Sequence, residues 1–206
     1  GTMGAVASNN LFGAQANDRL QIGFIGVGTM GRGHLGAFLN MKEVQVVAVC
    51  DVVEERLQMA HKMVANKYTG PNSQTEFKDC KVFKDFRKLL EDKNIDAVSI
   101  ATPNHWHALM AVWAMQAGKD VYVEKPCSHN VREGRVMTEW ARKLGRMCQM
   151  GVQSRSMTGM RETLDFIKSG KIGKVNVARA ICYRRRDSIG MVNTEAPIPE
   201  GLDFDL

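Results

Sequence analysis

The first segment of this sequence that could take part in chemistry is a glycine-rich turn, Gly26–Gly31. It lies between an apolar run and a helical pattern. An acidic residue, Asp51, closes the next apolar run twenty residues after Gly31. The pattern G-x-G-x-x-G with a downstream acid is the dinucleotide-binding fingerprint. Gly26 permits a tight turn, Gly28 lets backbone N–H groups approach a diphosphate, and Gly31 lets a helix pack closely on a strand.

The helix expected after this turn starts at Thr29 and Met30, and its positive end would face the phosphates. Asp51 would accept hydrogen bonds from both hydroxyls of the adenosine ribose. Its charge would repel a 2′-phosphate, which favours NAD over NADP. Arg32 and Arg56 keep NADP open as an alternative, because either guanidinium is near enough in sequence to meet a phosphate. For Arg56, an adenine contact and a solvated helix residue are both open interpretations.

Lys125 lies in Glu124-Lys125-Pro126, directly after the short apolar run 121–123. Because a residue before proline is disfavoured in a helix, Lys125 is expected to be extended. A lysine beside a nicotinamide can donate to a substrate hydroxyl and stabilise the charge that develops on its oxygen during hydride loss. The bland alternative is a surface charge, but the position at a strand end, opposite the glycine turn, favours the catalytic interpretation.

A second unusual segment, residues 102–107, follows another buried run and leads into a helix expected to be capped by Asn104 and closed by Gly118. His105 and His107 in this segment are only two residues apart, so they do not share a helix face and do not form a metal pair. No metal site is predicted. We expect His107 to line the nicotinamide side and to be catalytic together with Lys125, with a structural histidine as the alternative.

Strand-like and helix-like patterns alternate up to Met150, which predicts an α/β fold with a doubly wound, Rossmann-type parallel sheet over residues 17–151. Ligands of such sheets bind at the carboxyl ends of the strands, where the segments above all lie, and Gln153 follows a fifth such end. Beyond 152 we expect a helix at 158–168 and an alternating strand at 175–183. These would begin a second, incomplete α/β domain over 152–206 with a mostly antiparallel sheet.

Composition narrows the function classes. The net charge of +6 is scattered, and no basic stripe is interleaved with aromatic residues, so nucleic acid is not an expected partner. No apolar run reaches the roughly 20 residues needed to span a bilayer. The five cysteines are widely spaced and include no C-x-x-C, so neither a zinc site nor a disulfide framework is indicated.

Residues 1–16 carry no charge and end in Ala14-Gln15-Ala16, which resembles a signal-peptidase site. We therefore expect the remnant of an export signal with Asn17 as the first mature residue. A disordered tail is the alternative, with the protein then cytoplasmic.

Together these segments resemble the glucose–fructose oxidoreductase/inositol dehydrogenase family (Gfo/Idh/MocA) from about Leu20 to Tyr183. The resemblance rests on GFIGVGTMGRGH, VCD at 49–51, SIATPNHWH at 99–107, AGKDVYVEKP at 117–126 and MGVQSRS at 150–156. It implies a Rossmann domain that binds NAD or NADP, followed by a domain that carries the substrate and the interface of a homo-oligomer. It also implies a twin-arginine type of leader, as in some members, and hence a periplasmic location.

The resemblance further implies that Lys125 assists oxidation of a sugar, polyol or cyclitol CH–OH, and that Thr102, Pro103, Asn104, His107 and Glu124 line the nicotinamide end. The usual general base of the family, a histidine with a nearby aspartate in the second domain, has no counterpart here, since no histidine follows His129. We expect it beyond Leu206, and we expect residues 1–206 to bind dinucleotide without turning over substrate. The alternatives are a glycosidase that uses tightly held NAD for transient oxidation and elimination, and a non-catalytic dinucleotide-binding protein.

Overall fold

The computed structural model describes residues 19–69, 79–181, 183, 187–188, 190–191 and 195–206. The chain forms two compact units. The first contains the described residues up to Met150 together with Gly201–Leu206, and the second contains residues 151–200. The last six residues thus lie with the first unit and not, as we expected, with the second. The predicted leader at 1–16 and Cys182 lie outside the described residues.

One six-stranded sheet organises the first unit. Its strands are β1 Leu20–Ile25, β2 Val44–Cys50, β3 Lys81–Phe83, β4 Ala97–Ile100, β5 Asp120–Glu124 and β6 Cys148–Gly151. Their order is β3-β2-β1-β4-β5-β6, and the pairings among β1 to β5 are parallel. The chain winds outward in both directions from β1 and β4. The connections that leave the carboxyl ends of these two strands therefore run to opposite sides of the sheet, and the crevice between them can bind a ligand. The predicted doubly wound parallel sheet is confirmed.

Helices cover the sheet, and their bounds follow sequence signals closely. They are α1 Thr29–Phe38, α2 Glu54–Thr69, α3 Phe86–Glu91, α4 Asn104–Gln116 and α5 Val131–Leu144. At α5 the Asn130 side chain accepts from the Glu133 N–H at 3.0 Å, and the Glu133 carboxylate accepts from the His129 N–H at 2.7 Å. This arrangement resembles a capping box, except that Glu133 accepts from the residue before the N-cap, and Gly145 ends the helix in the left-handed conformation.

The expected cap of α4 is wrong. Pro103 is the residue before the first helical turn and Asn104 lies inside that turn, with no side-chain hydrogen bond capping the helix. Proline fixes its own φ and is favourable at a helix start, so the helix begins one residue earlier than the Asn104 side chain would dictate. Gly118 does follow the helix with a φ of 79°.

Two hydrophobic clusters lie against the two faces of the sheet. Phe24 packs in the cluster that contains residues of α1 and α2, whereas Ile25 packs in the cluster that contains residues of α3, α4 and α5. Successive residues of a strand point to opposite faces, so this split shows that both faces are covered. It also explains why the central strands are nearly continuous apolar runs, as in β2, where Val46, Ala48 and Val49 are fully buried.

The second unit contains a short 3-10 helix, Gln153–Ser156, and α6, Thr158–Lys168. The expected strand at 175–183 is absent from its described residues, since 175–181 and 183 have no regular structure. A strand is defined by hydrogen bonds to a neighbouring strand, and among the described residues none lies beside 175–181. In the described part of the chain, no helix combines the length and apolarity needed to cross a bilayer.

Candidate functional site

The glycine turn joins β1 to α1 at the centre of the carboxyl edge of the sheet. Gly26 has a φ of 81°, and a Cβ built on it would lie 2.7 Å from the Thr102 nitrogen. A Cβ on Gly31 would overlap the carbonyl oxygen of Gly26. Both positions therefore require glycine, one for its backbone conformation and the close approach of the β4 end, the other for contact between helix and strand.

The amino end of α1 is open around Gly28. This residue is the N-cap, and a Cβ built on it would meet only the Arg56 guanidinium, at 3.9 Å. The first turn of a helix leaves its N–H groups without intrahelical partners, so the amides of Thr29 and Met30 are available to an anion. Arg56 lies at the predicted diphosphate site, close to the turn. The Arg32 guanidinium instead donates to the Val27 carbonyl oxygen at 2.9 Å.

Asp51 is nearly buried, at 8% exposure, and its carboxylate joins two turns. One oxygen accepts from the Val27 N–H at 2.8 Å, and the other accepts from the Val53 N–H at 2.9 Å. A carboxylate has about four acceptor sites, so hydrogen bonds from ribose hydroxyls remain compatible with both contacts. Burial of the adjacent Cys50 thiol raises its pKa to about 12, with further contributions from the charges of Asp51 and Asp85.

Glu124 is the last residue of β5 and Lys125 follows it, two strands away from the glycine turn. Glu124 is buried, and one of its oxygens accepts from the Lys125 N–H at 2.7 Å. Its other oxygen lies 3.2 Å from the His34 Nε2. Burial, and then the charge of Glu124, raise the pKa of Tyr122, whose ring meets the His34 ring edge to face at 5.4 Å. The Lys125 side chain is exposed at this edge of the sheet.

His34 is a site residue that sequence reasoning missed. It lies three residues after Gly31 on α1 and therefore on the same face of that helix, the face packed on the sheet. That spacing was the available signal. Its partner Glu124 is ninety residues away in the chain, so only the sheet order brings the two together.

His107 is buried, at 2% exposure, and lies between two loops. Its Nδ1 is 2.6 Å from the Pro126 carbonyl oxygen and its Nε2 is 2.8 Å from the Thr102 carbonyl oxygen. The ring thus links the loop after β4 to the loop after β5. This placement supports the structural alternative for His107, and direct participation in catalysis stays a prediction.

The remaining predicted residues divide between the units. Thr102, Pro103 and Asn104 lie in the loop after β4, and Thr102 is in close contact with the Gly26 turn. Gln153 belongs to the second unit, so its place in the site stays a prediction. Among the residues that the structure describes, no three His, Cys, Asp or Glu side chains are grouped to hold a metal ion.

The fold and the glycine–aspartate arrangement define a Rossmann-type dinucleotide-binding domain. Residues 20–152 match the model of an oxidoreductase family with an NAD-binding Rossmann fold, GFO_IDH_MocA. The chain belongs to this family, as the sequence motifs implied, and the residues around Gly28 and Asp51 fit NAD, the cofactor of the family.

Known relatives cover different activities. The chain is 36% identical over 157 residues to an inositol 2-dehydrogenase of Salmonella typhimurium. This match covers 75% of this chain and 43% of the relative. It is 35% identical over 140 residues to a glycosyl hydrolase family 109 protein of Shewanella pealeana, which covers 65% of this chain and 28% of the relative. The chain thus spans less than half the length of these curated relatives.

Solved structures agree with the fold. A scyllo-inositol dehydrogenase from Lactobacillus casei with bound NAD(H) and scyllo-inositol superposes with a TM-score of 0.65 and 25% identity, covering 75% of this chain and 42% of that one. The WlbA dehydrogenase from Bordetella pertussis, in complex with NADH and UDP-GlcNAcA, has a TM-score of 0.64 and 24% identity over 76% of this chain and 44% of that one.

Proposed function

We propose that this protein is an NAD-dependent oxidoreductase that acts on a CH–OH group of a sugar, polyol or cyclitol. The observation that carries the proposal is the placement of Lys125 on the same sheet edge as the glycine turn. The strands β1, β4 and β5 are neighbours, so two strand spacings, about 10 Å, separate the turn from Lys125. A dinucleotide with its diphosphate at Gly28 would extend along this edge toward the lysine.

The residues of the chain have distinct roles in this proposal. NAD, when bound, supplies the hydride acceptor. Gly28 and the first turn of α1 bind the diphosphate, and Asp51 accepts from the adenosine ribose. The Lys125 ammonium group donates a hydrogen bond to the substrate hydroxyl and stabilises negative charge on its oxygen as the C–H bond breaks, while the hydroxyl proton passes to a general base that these residues do not supply. Glu124 orients the Lys125 backbone through its 2.7 Å hydrogen bond.

Calorimetry with NADH and NADPH tests the cofactor half of the proposal. NADH should bind, and NADPH should bind more weakly because Asp51 repels a 2′-phosphate. Asp51→Ala should reduce that difference. If neither nucleotide produces heat with well-folded protein, the proposed function is wrong.

Turnover tests the catalytic half, with myo-inositol as the first probe of a cyclitol and sugar panel. In the full-length protein, because residues 1–206 alone are expected not to turn over substrate, Lys125→Ala should lower kcat by about 10²-fold or more, the usual cost of losing a donor to a developing oxyanion. Lys93→Ala, at an exposed lysine on the loop before β4, is the matched control and should leave kcat unchanged. Equal activities of the two variants would exclude the assigned role of Lys125.

A second candidate function is favoured by the glycosyl hydrolase family 109 relative. In that case the same NAD and Lys125 would serve a transient oxidation, and the substrate would be cleaved at a glycosidic bond without net redox change. Net NADH release from a polyol supports the dehydrogenase, whereas cleavage of a glycoside without NADH release supports the glycosidase. NAD binding without either activity, even in the full-length chain, would indicate a non-catalytic dinucleotide-binding protein.

Homo-oligomer formation and export by a twin-arginine route also stay proposals. They rest on the family resemblance and on the Ala14-Gln15-Ala16 pattern.

A further inference from the structure

A segment from the far end of the sequence pairs with the turn that carries Asp51. We call residues Gly201–Leu206 the strap. The Glu54 N–H donates to the Gly201 carbonyl oxygen at 3.1 Å, and the Asp203 N–H donates to the Val52 carbonyl oxygen at 3.0 Å. Between these hydrogen bonds, Leu202 forms an antiparallel bridge with Val53. The strap therefore holds the backbone on both sides of Val53.

Val53 connects the strap to the glycine turn. Its N–H donates to one oxygen of Asp51 at 2.9 Å, and the other oxygen accepts from the Val27 N–H at 2.8 Å. Val27 lies within the glycine turn, between Gly26 and Gly28. A continuous set of hydrogen bonds thus runs from the strap, through Val53 and Asp51, to the loop expected to bind the diphosphate.

We propose that the strap is a positioning element of the dinucleotide site, which orients Asp51 toward the adenosine ribose. The inference rests on the proposed function, because it assigns Asp51 to the ribose. The chain leaves the first unit after Met150 and returns to it at Gly201, so the strap is contributed by residues that follow the second unit in sequence. The adenosine end of the site is thereby completed by a part of the chain outside the family match at 20–152.

Two substitutions weaken the strap by different means. Asp203→Pro removes the N–H that donates to Val52. Gly201→Ala strains a residue whose φ is 79°, while the added Cβ would have an ordinary 4.0 Å contact with Glu54. Matched controls lie in the second unit. Gly173→Ala replaces a glycine with a φ of 76° and open space around it, and Lys174→Pro places proline at an exposed, irregular position.

Each strap variant should bind NADH about three-fold to ten-fold more weakly, the effect of losing roughly one oriented hydrogen bond. The affinity for NADPH, which lacks the 2′-hydroxyl donor, should decrease less. The ratio of the NADH affinity to the NADPH affinity should therefore fall. A strap that only stabilises the fold would lower the melting temperature and leave this ratio unchanged. Equal NADH affinities in both strap variants and both controls would overturn the proposal.

Amide hydrogen exchange of the cofactor-free protein separates this inference from the proposed function. Gly201→Ala and Asp203→Pro should accelerate exchange at the Val53 and Val27 amides, whereas the control substitutions should not. Unchanged exchange at both amides would refute the positioning role whether or not NADH binds. Accelerated exchange in a protein that does not bind either nucleotide would uphold the positioning of Asp51 and refute the proposed cofactor.

Discussion

Replacing Asp51 should cost more stability than replacing any exposed aspartate that accepts a comparable hydrogen bond. Asp51→Ala removes the acceptor of two backbone N–H groups, those of Val27 and Val53. The Val27 bond is buried and the Val53 bond partly buried. A buried donor left without a partner costs about 1–3 kcal/mol, and a partly buried donor costs less because water reaches it. The substitution should therefore lower the free energy of unfolding by about 2–4 kcal/mol.

Asp96→Ala is the matched control. The Asp96 carboxylate also accepts from a backbone N–H, that of Gln21, at the same 2.8 Å, but this hydrogen bond is exposed. Water can replace the lost acceptor, so the expected cost is about 0.5–1 kcal/mol. The difference between the free energies of unfolding of the two variants isolates the contribution of burial at the glycine turn.

Urea unfolding followed by tryptophan fluorescence measures both free energies, because the three tryptophans lie in or beside the core of the first unit. Both variants should keep the m-value of the parent protein. If Asp51→Ala costs no more than Asp96→Ala, the carboxylate does not hold the turn as described. The inferred orientation of Asp51 toward a ribose would then lose its structural basis.

Gly31→Ala should prevent stable folding or cost about 3 kcal/mol or more, because its Cβ would overlap a backbone carbonyl, whereas Gly33→Ala, with nothing within 4 Å, should gain up to about 1 kcal/mol from helix propensity. Equal melting temperatures for the two would contradict the packing argument. Burial raises the pKa of the Cys50 thiol from 9.0 to about 12. The folded state thus keeps a proton that the unfolded state releases, so the free energy of unfolding should fall between pH 9 and pH 12, by about 1.4 kcal/mol per unit from this thiol. Urea titrations at pH 8 and pH 10 should show a smaller decrease in the free energy of unfolding for Cys50→Ala than for the parent protein. Equal decreases in the two proteins would exclude this thiol as the cause. In the native host, mass spectrometry should find Asn17 as the first residue, and an intact Ala16–Asn17 bond would argue against a cleaved leader.

Local sequence signals predicted most of the first unit. The run 44–50 has the nearly continuous apolar pattern of a buried strand, and Asn130 and Gly145 mark the ends of α5 through their own backbone and side-chain hydrogen bonds. The glycine turn was equally predictable, since a φ of 81° at Gly26 leaves few residue types to choose from. These features depend on residues within a few positions of one another.

Other local signals were insufficient. The alternation at 175–183 predicted a strand, but a strand requires a partner strand as well as a pattern, and 175–181 have no partner in the part of the chain that the structure describes. Asparagine is a favourable residue type at a helix N-cap, yet Pro103, and not Asn104, is the N-cap residue of α4. In both cases the preference of a residue type was real and a neighbouring constraint decided the outcome.

By itself, the sequence determined the alternating strands and helices, the glycine turn and the acid that follows β2, because each depends on short-range sterics, hydrogen bonding or apolar periodicity. Only the tertiary structure decided which distant groups meet: His34 with Glu124, His107 with two loop carbonyls, and the strap with the Asp51 turn. The physical reason is that the contacts with Glu124, with the Pro126 carbonyl oxygen and with the strap are set by strand order and chain return across 19 to about 150 residues, and no local preference specifies a partner at that separation.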